Sequence, residues 1–342
     1  MKHFLLPKDG NFYKANLHCH TTCSDGKLTP EQVKKEYMDR GYSVVAYTDH
    51  YLILPHTELC DENFVALHGY ELEVHADTEP VSQAKKTHIN LIALSPDNLL
   101  QIAYHRSKYV KGNMCSKIAE AVIDESLPDY ERVHSPGCIS EIMHNAREHG
   151  YFVIYNHPTW SLDDYSDYAN YDGMHAMEMY NYDSYVAGYE EINPRVYDDI
   201  LRTGKRIFCV GADDNHNHRP LDSPRCDSFG AFTVIKAPEL TYTAITDALV
   251  KGNFYASMGP EIKELYYEDG MVHIKTSAAQ RIIMNMGCRR AAVAIREKGK
   301  ALTSASFKVP ADAVYIRLTV FDKHGKRADT NAYFVDEFDA TN

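Results

Sequence analysis

The sequence predicts an α/β fold for most of the chain, because short apolar strands alternate with helical segments up to about residue 258. Polar motifs follow several of these strands directly, which is where parallel α/β barrels carry their binding groups. From residue 259 the pattern changes to short alternating stretches separated by glycines, which is typical of a small antiparallel β-sandwich. We therefore expect a barrel-sized domain over 1–258, with a polar helical insertion at about 95–137 across its mouth, and an all-β domain over 259–342.

The first predicted helix has clear signals at both ends. Thr29 is suited to cap it, Pro30 to occupy its first turn and Gly41 to end it. Further helices are predicted over residues 139–149, 189–203 and 241–250. Strands are predicted over residues 43–47, 64–67, 88–94, 151–155, 176–180, 206–210 and 229–236, and in the C-terminal part over 271–276, 291–296 and 314–321.

Composition and charge exclude some classes of partner. The 342 residues are 44% hydrophobic and 25% charged, which is ordinary for a globular protein. The net charge of −12 argues against nonspecific binding to nucleic acid or an anionic membrane, although a small nucleotide or oligonucleotide substrate stays open because bound cations reverse the field locally. The eight cysteines lack disulfide-like spacing, and no apolar run resembles a signal peptide or a membrane span. We expect a cytoplasmic protein with reduced thiols, of open oligomeric state.

The stretch L-H-C-H-T-T-C-S-D, residues 17–25, is the first candidate site. In an extended segment His18 and His20 point to the same side, and Asp25 follows within reach, so the three side chains suit a metal ion. Taken alone, this motif fits a surface turn with histidines at least as well. Asp214 and His216 repeat the two-residue spacing of the opening pair further along the chain.

A hairpin turn between Glu73 and His88 would bring Glu71 beside His88. The side chains of metal-ligand type that follow predicted strands are His18, His20, Asp25, His50, Glu71, His88, His157, Asp214 and His216. They offer more donors than one tetrahedral ion needs. The set therefore predicts two or three ions that share a bridging carboxylate.

The order of these motifs resembles the PHP (polymerase and histidinol phosphatase) family of metal-dependent phosphoesterases. The matching pieces are L-H-C-H-T-T-C-S-D-G, L-T-P-E, A-Y-T-D-H, G-Y-E, H-I-N-L-I-A-L, N-H-P and G-A-D-D-N-H. The resemblance implies a distorted seven-stranded (β/α) barrel with two or three ions of zinc, manganese or iron. The stretch N-F-Y-A-S-M-G-P and the residues after it are similar to longer PHP-like proteins with a C-terminal β domain.

Position by position, the resemblance implies three ion positions. They are a first on His18, His20, Glu71 and Asp214, a second on Glu71, His88 and His157, and a third on Asp25, His50 and His216. Asp213 stays open in place of Asp214, and Glu73 is a reserve ligand. Some relatives have an arginine that binds phosphate after the N-H-P histidine, whereas Thr159 and Trp160 stand here.

The predicted function is hydrolysis of a small phosphomonoester or phosphodiester by a hydroxide that bridges the ions. His218 and His175 are candidates to protonate the leaving group, and Asp49 to orient His20 or His50. Arg219 and Arg225 are candidates to bind the substrate phosphate or carboxylate; exposed solubilising arginines are the other interpretation. Two alternatives stay open: a hydrolase of the same fold acting on a carbamate, ester or amide, and a non-catalytic binding protein on a PHP scaffold.

Overall fold

The computed structural model describes residues 2–338, which contain eighteen strands and six α-helices. The strands, numbered β1 to β18 in chain order, are His3–Phe4, Asn11–Asn16, Val44–Tyr47, Val65–His75, Lys86–Ala93, Tyr151–Tyr155, Ala176–Asn181, Phe208–Ala212, Phe232–Ala237, Phe254–Ser257, Ile262–Glu268, Met271–Ala279, Arg281–Met286, Ala291–Ile295, Leu302–Lys308, Tyr315–Phe321, Arg327–Thr330 and Tyr333–Phe334. The helices, α1 to α6, are Pro30–Met38, Pro136–Glu148, Tyr165–Tyr168, Tyr182–Ala187, Pro194–Arg202 and Tyr242–Val250. Short 3-10 helices span Thr57–Leu59, Val81–Gln83, Gly112–Glu120 and Val335–Glu337.

Local sequence signals account for the ends of the predicted helices. The Thr29 hydroxyl accepts from the backbone N–H of Gln32, and the Gln32 side chain accepts from the Thr29 N–H, so α1 begins with a reciprocal cap. The hydroxyls of Ser135 and Thr241 cap α2 and α6. The predicted helix over 189–203 begins only at Pro194, and the short helices α3 and α4 were not predicted.

The main sheet is large and mixed, which confirms an α/β fold but not an all-parallel sheet. Strands β2, β3 and β4 are parallel, and so are β6, β7 and β8. Strand β5 departs from the general parallel pattern and runs antiparallel to both β4 and β6, and its pairing with β4 is the hairpin predicted between Glu73 and His88. The reason is the connection: β4 and β5 are joined by a short segment without a crossover helix, and a parallel pair needs one.

Strand β8 is hydrogen-bonded to β9 through the side chain of Thr233. The Thr233 hydroxyl accepts from the Gly211 N–H and donates to the Gly211 carbonyl, at 3.1 and 2.9 Å. A Cβ on Gly211 would lie 2.8 Å from the carbonyl oxygen of Phe232, so only glycine permits this approach. β9 in turn runs antiparallel to β2, which places the first and last strands of the predicted barrel close together.

The segment 95–137 is not helical as predicted. Before α2 begins at Pro136, the helical structure described in this segment is the 3-10 helix Gly112–Glu120. Irregular contacts fix the segment: Gln101 donates to the carbonyl of Tyr51 at 2.6 Å, and Asn113 donates to the carbonyl of Thr22 at 3.3 Å. It therefore lies against the loops that follow β2 and β3.

The C-terminal strands belong to two sheets that share one hydrophobic core. Strands β11, β12 and β15 form a four-stranded sheet with β1, while β13, β14, β16 and β17 continue the main sheet by pairing of β17 with β10. Leu265 and Ile274 of the small sheet lie in the same buried cluster as Ile282 and Leu318 of the main sheet. Within residues 2–338, no helix has the length and apolar character needed to cross a bilayer.

Buried charges also tie the C-terminal strands to the helical layer. Arg317 of β16 is 3% exposed and makes two parallel bonds to Asp198 of α5, each 2.8 Å long. Its Nη1 donates to Asp329 of β17 at 3.2 Å, and Tyr180 of β7 also donates to Asp329. Removing the arginine would leave Asp329 buried with one cation fewer.

We expect Arg317→Met to lower the free energy of unfolding by about 3–5 kcal/mol, because it removes one partner of a buried charge network. Urea unfolding followed by circular dichroism measures the change. Arg290→Met is the matched control, since Arg290 pairs with Asp312 at the surface and its loss should change stability little. Equal stability of Arg317→Met and the wild type would contradict the interpretation.

Candidate metal centre

The nine predicted ligands meet at one edge of the main sheet. His18 and His20 follow β2, His50 follows β3, His157 follows β6, and Asp214 lies in the loop after β8. These four strands are members of the two parallel sets, so their carboxyl ends open toward the same side. Isolated parallel bridges then join Cys19 to Asn215 and His50 to Glu71, which holds the strand extensions together.

A first donor group surrounds the Asp214 carboxylate. Asp214 Oδ1 lies 3.0 Å from both His18 Nε2 and His20 Nε2, and these two nitrogens are 3.1 Å apart. Glu71 approaches the same nitrogens at 3.2 and 3.4 Å. His18 Nε2, His20 Nε2 and Asp214 Oδ1 thus lie close enough together to share one ion, and the Glu71 carboxylate borders them.

The second donor group shares Glu71. Glu71 Oε1 is 2.8 Å from His88 Nδ1 and 3.2 Å from His157 Nε2. The predicted hairpin places His88 opposite Glu73, while the side chain of His88 reaches across to Glu71. Glu73 itself lies 2.7 Å from His75 Nε2, so it remains a reserve ligand at the edge of this group.

The third donor group is more open. Asp25, whose side chain is 51% exposed, lies 3.7 Å from His50 Nε2 and 3.6 Å from His216 Nε2. His20 Nδ1 lies 3.8 Å from the same carboxylate, so the His20 ring faces both this group and the first. The sequence interpretation placed His20 in the first group alone.

Several buried polar atoms of these groups have no partner in hydrogen-bonding geometry among the described residues. They are His20 Nδ1, His50 Nδ1, His88 Nε2 and Asp214 Oδ1. Buried polar atoms are nearly always paired, so four unpaired atoms in one place need another partner. Imidazole nitrogens and carboxylate oxygens around a common volume fit divalent cations, and the residues present therefore fit a metal centre.

The electrostatics favour charged carboxylates. Burial alone raises the pKa of Glu71, but His88, His18 and His50 outweigh it and hold that pKa well below its ordinary value. Burial likewise lowers the pKa of His50 and His157, yet the Glu71 carboxylate raises the pKa of both to about 9. In contrast, burial and two neighbouring imidazoles lower the pKa of His20 to about 3, so its ring is neutral.

Glu178 is a buried neighbour of His18 that was not predicted from the sequence. It lies on β7, is fully buried, and accepts from His18 Nδ1 at 2.7 Å. Its second oxygen accepts from the backbone N–H of His157 and from Asn181 Nδ2, both at 2.9 Å. It therefore fixes the ring orientation of His18. The available signal was a lone glutamate between two methionines of a strand predicted to be buried.

Two aspartates considered from the sequence, Asp49 and Asp213, bond backbone N–H and hydroxyl groups rather than the histidines. Asp49 accepts from the backbone and hydroxyl groups of Thr21 and Ser24 at 2.6–3.0 Å. It therefore fixes the loop before Asp25, and no described hydrogen bond joins it to His20 or His50. The Asp213 carboxylate accepts from Tyr37 and from the backbone N–H groups of residues 229–231. Of the two adjacent aspartates, Asp214 is the one that faces the histidines.

The predicted proton donors lie in different places. His175 precedes β7, at the opposite end of that strand from the metal-ligand side chains, and its Nδ1 accepts from the Val153 N–H at 3.1 Å. Burial lowers its pKa to about 4, so we correct its assignment: His175 is neither positioned nor charged to act as the acid. His218 stacks on His216 with ring centroids 5.7 Å apart and stays a candidate. Arg219 and Arg225 are exposed and do not line the cavity over the donor groups.

That cavity has a volume of about 290 Å³. Seven of the nine predicted ligands line it, and with them His218, Lys86, Trp160, Asp183 and Ser184. Trp160 packs against His88 and His157 with ring centroids about 5 Å apart. Burial, with Asp214 and Asp227 nearby, raises the pKa of Asp183 to about 7. A small substrate in this cavity would contact the donor groups and the Asp183 carboxyl.

An α/β sheet with a shared carboxylate among clustered histidines defines a candidate metal-binding protein. No protein-family model and no curated protein matches the chain. Among solved structures, it is similar to a two-domain protein from Bacteroides vulgatus ATCC 8482 that contains a predicted PHP-like metal-dependent phosphoesterase, at 14% identity, a TM-score of 0.47 and 97% coverage of each chain. It is also similar to a candidate metal-dependent phosphoesterase from Bifidobacterium adolescentis ATCC 15703, at 18% identity and a TM-score of 0.35, over 62% of this chain and 89% of that chain. The motifs quoted from the sequence carry the resemblance to the PHP family.

We expect Glu178→Gln to weaken metal binding by about 10- to 100-fold, because it removes the charged acceptor that orients His18. Competition with a chromophoric chelator measures the dissociation constant. Glu190→Gln is the matched control, since Glu190 is exposed at the surface. A dissociation constant within twofold of the wild type would show that Glu178 has no such function.

Metal loading at pH 7 should release about one to two protons, because His50 and His157 have pKa values of about 9 and ligation needs neutral rings. The affinity should rise with pH up to about 9 and then level off. Calorimetry in two buffers of different ionisation enthalpy measures the release. Identical heats in both buffers would contradict the pKa assignment.

Proposed function

We propose that this chain is a metal-dependent phosphoesterase that hydrolyses a phosphomonoester or phosphodiester. The observation that carries the proposal is the position of Glu71. Its carboxylate lies within 3.4 Å of imidazole nitrogens from five histidines, His18, His20, His50, His88 and His157. A carboxylate so placed is suited to bridge two ions, and paired ions are the usual catalysts of phosphoryl transfer to water.

The donor groups suggest which residues would hold the ions. The proposed sets are His18, His20, Glu71 and Asp214; Glu71, His88 and His157; and Asp25, His50 and His216. Zinc, manganese and iron all accept imidazole and carboxylate ligands, and we propose two or three such ions. When bound, they supply Lewis acidity that lowers the pKa of water and neutralises charge on phosphoryl oxygens.

The chain's own residues complete the site. Glu178 holds His18 and the His157 backbone in place. Trp160 packs against His88 and His157 and so limits the rotation of their rings. Asp183 and His218 both line the cavity and are the proposed donors of a proton to the leaving oxygen.

The barrel and the C-terminal sandwich expected from the sequence also belong to the proposal. We propose that β2 to β8 form the distorted seven-stranded barrel and that the two C-terminal sheets form the sandwich expected from residue 259. The shared cluster of Leu265, Ile274 and Leu318 supports the second part. The expected cytoplasmic location stays part of the proposal, and the eight free cysteines are compatible with it.

A substrate panel tests the reaction class. The metal-loaded protein, with zinc or manganese added, is offered para-nitrophenyl phosphate, bis-para-nitrophenyl phosphate and para-nitrophenyl carboxyl esters. Hydrolysis of either phosphate is expected. Turnover of the carboxyl esters alone would refute the phosphoesterase and favour the ester, amide or carbamate hydrolase.

We expect Glu71→Ala and His18→Ala each to lower kcat by at least about 10³-fold, because each removes a ligand of the shared centre. Initial rates and elemental analysis of the purified variants measure turnover and bound metal. His144→Ala is the control, since His144 lies on the exposed face of α2. Wild-type rates in either ligand variant would contradict the site, provided that circular dichroism shows a folded chain.

A further inference from the structure

The cavity over the donor groups has one basic side chain of fixed charge. Among the described residues that line it, Lys86 is the single lysine or arginine, against four acids, Asp25, Glu71, Asp183 and Asp214. Ions in the donor groups would balance the acids. Among these described lining residues, Lys86 is thus the side chain of fixed positive charge that could bind an anion beside the ions.

Strand β5 places Lys86 next to the ligands. Lys86 pairs with His75, and His88 pairs with Glu73, in an antiparallel register. Residues two apart on a strand point to the same face, so Lys86 projects beside His88, one step nearer the rim. Its side chain is 30% exposed, which leaves the ammonium open to the cavity.

The ammonium of Lys86 has N–H donors that its described contacts do not use. Its Nζ lies 3.2 Å from Glu73 Oε1 and 5.4 Å from the centre of the Trp160 ring. An ammonium has three N–H donors, and Glu73 uses one of them. Glu73 also has His75 at 2.7 Å and His50 at 3.5 Å, so it does not depend on Lys86 for its charge balance.

We propose that Lys86 binds the non-bridging oxygens of the substrate phosphate and so selects phosphate esters over neutral esters. This proposal rests on the proposed function and adds the residue that recognises the anion. A neutral carboxyl ester gains nothing from an ammonium at the rim, whereas a phosphomonoester dianion gains a charge-assisted hydrogen bond. Trp160 and Glu73 hold the lysine at the cavity when no substrate is present.

Neighbouring lysines provide a matched pair of variants. Lys86→Met removes the charge at similar length, and Lys86→Arg keeps it. Lys85→Met is the control, because Lys85 contacts Asp164 and Asp167 outside the cavity. Each metal-loaded protein is titrated with inorganic phosphate by calorimetry and assayed for KM and kcat on para-nitrophenyl phosphate, with metal content determined in parallel.

We expect Lys86→Met to weaken phosphate binding and raise KM by about 10- to 100-fold, with unchanged metal content, and Lys86→Arg to recover most of the loss. Lys85→Met should match the wild type. Phosphate affinity within twofold of the wild type in Lys86→Met, or an equal loss in Lys85→Met, would overturn the proposal. If the wild type hydrolyses no phosphate ester but binds phosphate through Lys86, the proposed function fails and the anion subsite stands. If phosphate esters are hydrolysed equally with and without Lys86, the subsite fails alone.

Discussion

Glu71 is a carboxylate that is 1% exposed and is surrounded by imidazoles and the Asn156 amide, which donates to its Oε1 at 2.8 Å. A buried charge of this kind is stable only where opposite charges or metal ions balance it. Five histidines from four different segments of the chain approach it within 3.4 Å. Strands β2, β3, β5 and β6 are therefore arranged around β4 so that these rings meet at the two carboxylate oxygens of Glu71.

The residues behind the ligands are built to keep that geometry. Glu178 fixes His18, Asp49 fixes the loop that carries Asp25, and Asp213 anchors the backbone after β8 through residues 229–231. Each of these carboxylates is buried and accepts several hydrogen bonds, so its oxygens are satisfied locally. Three acids that bind no ion on this interpretation determine where the ligand loops lie.

The metal-ligand side chains could be predicted from the sequence because short spacing rules and strand ends determine them. His18 and His20, or Asp214 and His216, are two apart, and the motifs follow apolar strands. Asp183 and Glu178 could not be found in this way, and the contacts of Lys86 could not either, although Lys86 stands two residues before His88. Their contacts depend on the pairing register and on loops that pack across the cavity, and periodicity carries no information about either. The hairpin that makes β5 antiparallel to β4 could be predicted, because the segment between Glu73 and His88 is too short for a crossover helix. The path of the segment 95–137 could not. The polar segment 95–137 follows an irregular path because its tertiary contacts with the loops it covers outweigh local propensity.

The pairing of β10 with β17 has a consequence for how the chain can be divided. Tyr255, Ala256 and Ser257 use their outer edge to bond Thr330, Asp329 and Ala328. A fragment cut near residue 258 would expose that edge, together with apolar side chains that now pack under the C-terminal strands. Open strand edges recruit other chains, so such a fragment is prone to aggregate. The C-terminal strands thus cover an edge of the main sheet that would otherwise be open to pairing with other chains.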